Sequence, residues 1–228
     1  MEKIVKTNVD PAPLHSFKMG RIDEDGKPIK TIYSNLQNPE KDLYKIELLK
    51  EQFYLCAYCN KLLSDEKEFL YQLKVEHWYP QHFCKQEDHY ETVNGMDLQH
   101  SNLLIVCDGE SVNPKYKHCD GSRTPKRKLK IRPQDAEYEF DKLFRYEGTT
   151  LVSDDDEISY DINIELNLNH EDLQYKRRIA LDGFRKIIMS FGKGNINKNA
   201  LLNKYQNPFK DGRKAEYCTL IINEIKKF

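Results

Sequence analysis

Cys56-Ala-Tyr-Cys59, Leu73-Lys-Val-Glu-His-Trp-Tyr-Pro80, Gln99-His-Ser-Asn-Leu-Leu-Ile-Val-Cys107 and His118-Cys119-Asp120 form the ordered set that decides the fold of this 228-residue chain. A two-residue gap between cysteines lets two thiolates converge on one ion at about 2.3 Å, the length of a zinc–sulfur bond. The same gap serves redox chemistry, where a strand precedes the pair and a helix follows. Here the preceding run, Pro39 to Phe53, carries Leu43, Ile46, Leu49 and Phe53 at helical spacing. A helix that enters the cysteines favours zinc. The second pair is Cys107 and Cys119, and the stretch Asp108 to His118 between them is rich in turn formers. That composition predicts a loop that leaves the two thiols adjacent in space. The expectation is a structural zinc site at Cys56, Cys59, Cys107 and Cys119. Two alternatives stay open, His118 in place of one thiol or Cys107 packed in the core. Cys84 and Cys218 have no partner at useful spacing and are expected as half-buried thiols.

Between the cysteine pairs, Leu73 to Pro80 is β-branched and aromatic in alternation and predicts a strand that ends at the proline. Successive strand residues face opposite sides, so Glu76 and His77 meet at one place only where the strand end twists. A second apolar stretch, entered through Asn102, runs to Cys107. Trp78 reads as a core aromatic. His82, His89 and His100 read as polar loop residues, and His15 and His170 lie outside the motif.

Composition narrows the class. Charged residues make up 32% of the chain and mean hydropathy is −0.79, yet 14 Tyr and 10 Phe are too many for a disordered polymer. No apolar run approaches the roughly 18–20 residues of a membrane span, and the first residues lack the apolar stretch of a secretory signal. These features predict a soluble, cytoplasmic protein. The net charge of −1 argues against a general polyanion binder, but the charge is segregated. Lys115 to Arg132 carries eight basic residues against Asp120 alone, and Asp154 to Glu157 is an acidic knot. Arg123, Lys126, Arg127 and Lys128 are the candidate nucleic-acid contacts. The chain has no nucleotide-binding Gly-Lys-Ser/Thr loop, so any use of ATP belongs to another protein.

The ordered set resembles the HNH endonuclease motif, a ββα-metal finger held between paired zinc-binding cysteines. The likeness covers about residues 56–126. A wider one, to the HNH nuclease subunit of Septu anti-phage systems and of certain retrons, rests on Cys-Ala-Tyr-Cys-Asn after the helix, Val-Glu-His-Trp-Tyr-Pro, Asn-Leu-Leu, His-Cys-Asp and the Leu166-Asn-Leu-Asn169 phrase. The resemblance implies hydrolysis of DNA or RNA phosphodiesters, a defence role and an ABC-type ATPase partner. It also implies His77 as general base, Asn102 as the residue that orients the imidazole, and Glu76 and Asp120 as ligands of a catalytic Mg²⁺ or Mn²⁺. His118 is the alternative to Asp120. Glu stands where Asp is commoner and Asp where His or Asn is commoner, and both changes keep oxygen donors. The competing readings are a catalytically silent zinc-stabilised module that binds nucleic acid or protein, and a purely structural zinc protein.

The expected fold class is α+β, organised as an irregular arm with little core at 1–39, a zinc-clamped nuclease core at 40–135, and a hairpin plus helical region at 136–228. In the last part, Glu147-Gly148 turns a hairpin and Asn169 caps a helix with Leu173, Ile179, Leu181, Phe184, Ile187 and Ile188 on its apolar face. Gly192-Lys-Gly194 breaks that helix. A last helix from about Lys214 carries Leu220, Ile221, Ile222 and Ile225. The apolar residues Phe184, Ile187, Ile188, Ile221 and Ile225 are either a docking face for the ATPase or part of the chain's own core.

Overall fold

The structure is a computed structural model that describes residues 1–29, 31–86, 96–109, 113–135, 137, 139–191 and 196–227. His89, Tyr138 and the Gly192–Gly194 break lie outside the described residues. The chain is mixed α and β. Its elements are α1 (Ala12–Lys18), β1 (Arg21–Ile22), β2 (Pro28–Ile29), α2 (Glu40–Glu51), β3 (Leu73–His77), α3 (Gln81–Gln86), β4 (Leu103–Cys107), α4 (Phe140–Leu143), β5 (Arg145–Glu147), β6 (Thr150–Val152), α5 (Asp156–Tyr160), α6 (Glu171–Ser190), α7 (Lys198–Gln206) and α8 (Cys218–Ile225). Among the described residues the strands pair as three small antiparallel sheets, β1 with β2, β3 with β4 and β5 with β6.

All five residues of β4, Leu103 to Cys107, are buried, which explains a continuous apolar run where an edge strand would alternate. β3 pairs with it from Leu73↔Cys107 to His77↔Leu103. α2 buries Tyr44, Lys45, Leu48 and Leu49, while Leu43 is 50% exposed, so its core face is turned from the predicted one. The helix ends before Phe53 and Tyr54, both at positive φ, a conformation in which the chain turns sharply into the cysteines. There Gln52, itself buried, receives the N–H of Ile105 at 2.8 Å and donates to the Ile105 carbonyl at 2.7 Å. One side chain thus pairs β4 as a neighbouring strand would.

The arm is corrected by the structure. Leu14, Phe17 and Leu36 are fully buried or nearly so, and they join one core that extends to Ile225 of α8. The hairpin stands as expected, with Gly148 at φ 61 in its two-residue turn. α6 is capped by His170, whose Nδ1 accepts from the Leu173 N–H, and not by Asn169. The Asn169 side chain instead accepts from the N–H of Leu151 at 2.9 Å and donates to its carbonyl at 2.8 Å. Ile179 and Ile187 face outward, and α6 buries Arg177 in their stead, over the Tyr146 ring and bonded to the Thr149 carbonyl. α8 begins at Cys218, later than expected, and α7 was not foreseen. Cys84 and Cys218 are fully buried.

α5 runs on into a π-helical turn, Asp161–Glu165, and this turn anchors the basic segment. Asp161 is fully buried and accepts from the N–H groups of Lys130 and Ile131 at 2.6 and 3.2 Å and from Arg127 at 3.2 Å. Asp161→Ala strands two backbone donors, at about 1–3 kcal/mol for each buried group left without a partner. Urea unfolding is expected to show a loss of about 2–6 kcal/mol. The exposed Asp156→Ala control should stay within about 0.5 kcal/mol of the parent.

Candidate functional site

The four expected cysteines converge. Their Sγ atoms lie within 4.8 Å of one another, all buried, with Cys56–Cys119 and Cys59–Cys107 at 3.8 Å. Four sulfurs arranged tetrahedrally at a zinc–sulfur distance of about 2.3 Å are separated by about 3.8 Å. A disulfide demands about 2.05 Å. The donor set therefore fits a structural metal such as zinc. The knuckle is shaped by Cys56, whose N–H donates to the Lys61 carbonyl, and by Asn60 at φ 61. The N–H of Cys107 points at Cys56 Sγ at 3.4 Å, the kind of donor that stabilises a thiolate.

The loop between Cys107 and Cys119 closes as its turn formers predict. His118 N–H donates to the Gly109 carbonyl at 3.0 Å. Gly109 sits at φ +61, and a Cβ there would stand 1.6 Å from the His118 carbonyl oxygen. Only glycine fits this close approach. On the far side, Cys119 N–H donates to the Leu166 carbonyl at 2.9 Å, and the Asn167 side chain donates to the carbonyls of Lys115 and Lys117. The Leu166–Asn169 phrase is thus a brace for the fourth ligand. His118 Nδ1 lies 3.2 Å from Cys119 Sγ and 3.9 Å from Cys107 Sγ, beside the cluster, with all four thiols still converging.

A cavity of about 530 Å³ opens next to the end of β3, lined among others by Tyr33, Glu76, His77, His82, Asp120 and Arg123. Glu76 and His77 both line it. Glu76 is buried, its Oε1 receiving Tyr58 O–H at 3.2 Å and a close ion pair from Arg123. His77 is 7% exposed, and its Nε2 lies 3.0 Å from the Asp97 carbonyl oxygen. A carbonyl only accepts, so Nε2 carries the proton and Nδ1 the lone pair. Burial lowers the imidazole pKa to about 4, which keeps the ring neutral at neutral pH.

Several expectations change. Asn102 does not bond the imidazole. It accepts from the Tyr79 N–H at 2.6 Å and donates to the carbonyls of Tyr79 and Met96 at 3.2 and 2.9 Å. It therefore fixes the backbone beside Asp97, one bond removed from the base. Arg123 is buried and donates to Glu76 and to the carbonyls of His77, Trp78 and Arg127, so it braces the site and is not a surface contact. Arg127 is drawn to Asp161 and over the Tyr160 ring. Lys126 and Lys128 stay exposed, next to Pro125 of the cavity wall. His100 is a buried strut between Tyr44 and Glu51. Sequence reading missed Tyr33 and left His82 as a loop residue. No periodicity or spacing marks either, since they reach the cavity from the N-terminal segment and from α3.

Compared with models of known protein families and with curated proteins, the chain matches none. No helix among the described residues is long and apolar enough to cross a membrane.

Structural zinc contributes on the order of 10 kcal/mol to small modules. Elemental analysis should find one zinc per chain in the parent and in Cys84→Ser, and none in Cys59→Ser. Gly109→Ala should lose zinc as a ligand variant does, although it removes no donor atom.

Proposed function

We propose that this chain is a metal-dependent HNH-type endonuclease that hydrolyses nucleic-acid phosphodiester bonds in anti-phage defence. One observation carries the reading. A neutral imidazole, its Nε2 committed to a carbonyl, shares a cavity with two carboxylates, Glu76 and Asp120. The antiparallel β3–β4 pair beside a four-cysteine cluster fits the ββα-metal finger in its first two elements. The third is a short 3₁₀ turn, Cys119–Gly121, in place of an α-helix.

Glu76, through its second oxygen, and Asp120 would hold a Mg²⁺ or Mn²⁺ ion, which oxygen donors of this charge suit. Such an ion, when bound, supplies positive charge against the phosphoryl oxygens and a more acidic water. Arg123 neutralises part of the Glu76 charge and leaves room for one weakly held cation. His77 Nδ1 accepts the proton of the attacking water, a role open to it because the ring is uncharged. Lys126 and Lys128 attract the phosphate backbone to the rim without reading bases. Lys128 Nζ lies 4.4 Å from the centre of the Tyr79 ring and 4.7 Å from that of Phe83.

The ABC-type ATPase partner belongs to the same proposal. Its docking surface is not the apolar set of the tail, because Phe184, Ile188, Ile221 and Ile225 are buried in the chain's own core. Of that set Ile187 alone is exposed.

Plasmid DNA and total RNA, offered with and without the ATPase, test the reading. His77→Ala should lower cleavage by about 10²–10⁴-fold, the usual loss on removing a positioned general base. Zinc content should not change. EDTA should stop the parent, and Mg²⁺ or Mn²⁺ should restore it. Undiminished cleavage by His77→Ala would remove this residue as the base. The double variant Lys126→Ala/Lys128→Ala should weaken binding uniformly across sequences and flatten its dependence on salt by about two phosphate contacts.

A further inference from the structure

A histidine at the end of a strand is not held by the strand. Its ring can turn about χ2 and present either nitrogen to the cavity. Something else must hold His77, and the surroundings show two groups from distant parts of the chain. Tyr33 opens a 3₁₀ turn, Tyr33–Asn35, in the N-terminal segment. Its ring stands edge-on to the imidazole, with centroids 4.5 Å apart and planes at 89°. Its backbone N–H donates at 2.9 Å to Asp97 Oδ2, across 64 residues of sequence. Asp97 in turn offers its main-chain carbonyl to His77 Nε2.

Asp97 is an expensive residue to keep there. It is 0% exposed, its Oδ1 has no hydrogen-bond partner, and no cation pairs with it among the described residues. A buried carboxylate oxygen without a hydrogen-bond partner carries a desolvation cost. What the carboxylate does is tie the N-terminal segment to the backbone whose carbonyl meets the base. Asn102 holds that backbone from its other end, at the Met96 carbonyl.

We propose that Tyr33 and Asp97 are positioning residues that lock the His77 ring with Nε2–H on the Asp97 carbonyl and the Nδ1 lone pair free for the cavity. The Asp97 carboxylate sets the place of the carbonyl by holding Tyr33, and the Tyr33 ring blocks rotation of the imidazole. The N-terminal segment is then part of the active site, although it carries no motif. The catalytic meaning of this lock rests on the nuclease reading above, whereas the lock itself does not.

Full-length, zinc-loaded protein labelled with ¹⁵N-histidine reports the tautomer directly in long-range ¹H–¹⁵N spectra, with His77→Ala to assign the signal. The parent should show His77 as a single Nε2–H tautomer. Tyr33→Ala and Asp97→Ala should both give a mixture of tautomers at unchanged zinc content. In the cleavage assay, kcat should fall by up to about 10²-fold with little change in KM, as for a misplaced reacting group. The conservative variants Tyr33→Phe, which keeps the ring edge, and Asp97→Asn, which keeps an acceptor, should restore the single tautomer. If Asp97→Ala loses zinc and does not fold, Tyr33→Ala against Tyr33→Phe decides the matter. An unaltered single tautomer in Tyr33→Ala and Asp97→Ala overturns the proposal. A parent protein that cleaves nothing but shows the lock, lost in both alanine variants, overturns the nuclease reading and leaves the lock standing.

Discussion

Four desolvated cysteine sulfurs within 4.8 Å of one another are the constraint on which this structure depends. As thiols they would make a poor core, small and weakly bonded. As ligands of one ion they would tie together pieces of chain that have little else in common. Cys56 and Cys59 follow α2, Cys107 ends β4, and Cys119 opens a short turn that is braced by Leu166 from the C-terminal part. Two of the cavity's carboxylates depend on the segments that the cluster joins. β3 hangs on β4 by its register, and Asp120 follows Cys119 directly. Holding the sulfurs therefore places the carboxylates.

The charges near the cavity are arranged for restraint. Glu76 and Arg123 form a buried pair, and such pairs contribute little net stability while they fix geometry, since desolvation offsets their attraction. Arg123 also donates from its two terminal nitrogens to three backbone carbonyls, so it sets the path of the chain just after His77. Arg127 is bound to the π-helical turn through Asp161. Of the basic strip that reads as one surface in sequence, two members are turned to internal work, and most of the exposed charge is left to the lysines. Chemistry explains the division. A guanidinium can satisfy several acceptors in one plane, whereas an ammonium keeps its strong hydration and stays at the surface.

How far the sequence was legible follows from the range of the signals. The CxxC knuckle, the helix before it, the β3 strand, the second apolar stretch and the Gly148 hairpin are local patterns, and each stands within a few residues of its expected place. The convergence of Cys107 and Cys119 was legible too, because turn formers between them announce a loop. The face of α2, the cap of α6 and the outward turn of Ile179 and Ile187 were not. A helix shows its apolar residues in sequence, but which of them meet the core depends on what packs against it.

The sequence by itself determined the chemistry available, namely four thiols at ligand spacing, an imidazole beside a carboxylate, a second carboxylate after Cys119, and a basic strip. Tertiary structure alone decided which of these meet and in what state. It put Glu76 and His77 on one cavity in spite of strand alternation, gave Asn102 to the backbone in place of the imidazole, and buried Arg123. It also brought Tyr33 and Asp97, 64 positions apart, to the two sides of one ring. The reason is physical. Residue type and spacing report local preference and donor chemistry, whereas burial, tautomer and ion pairing are set by neighbours that arrive from elsewhere in the chain.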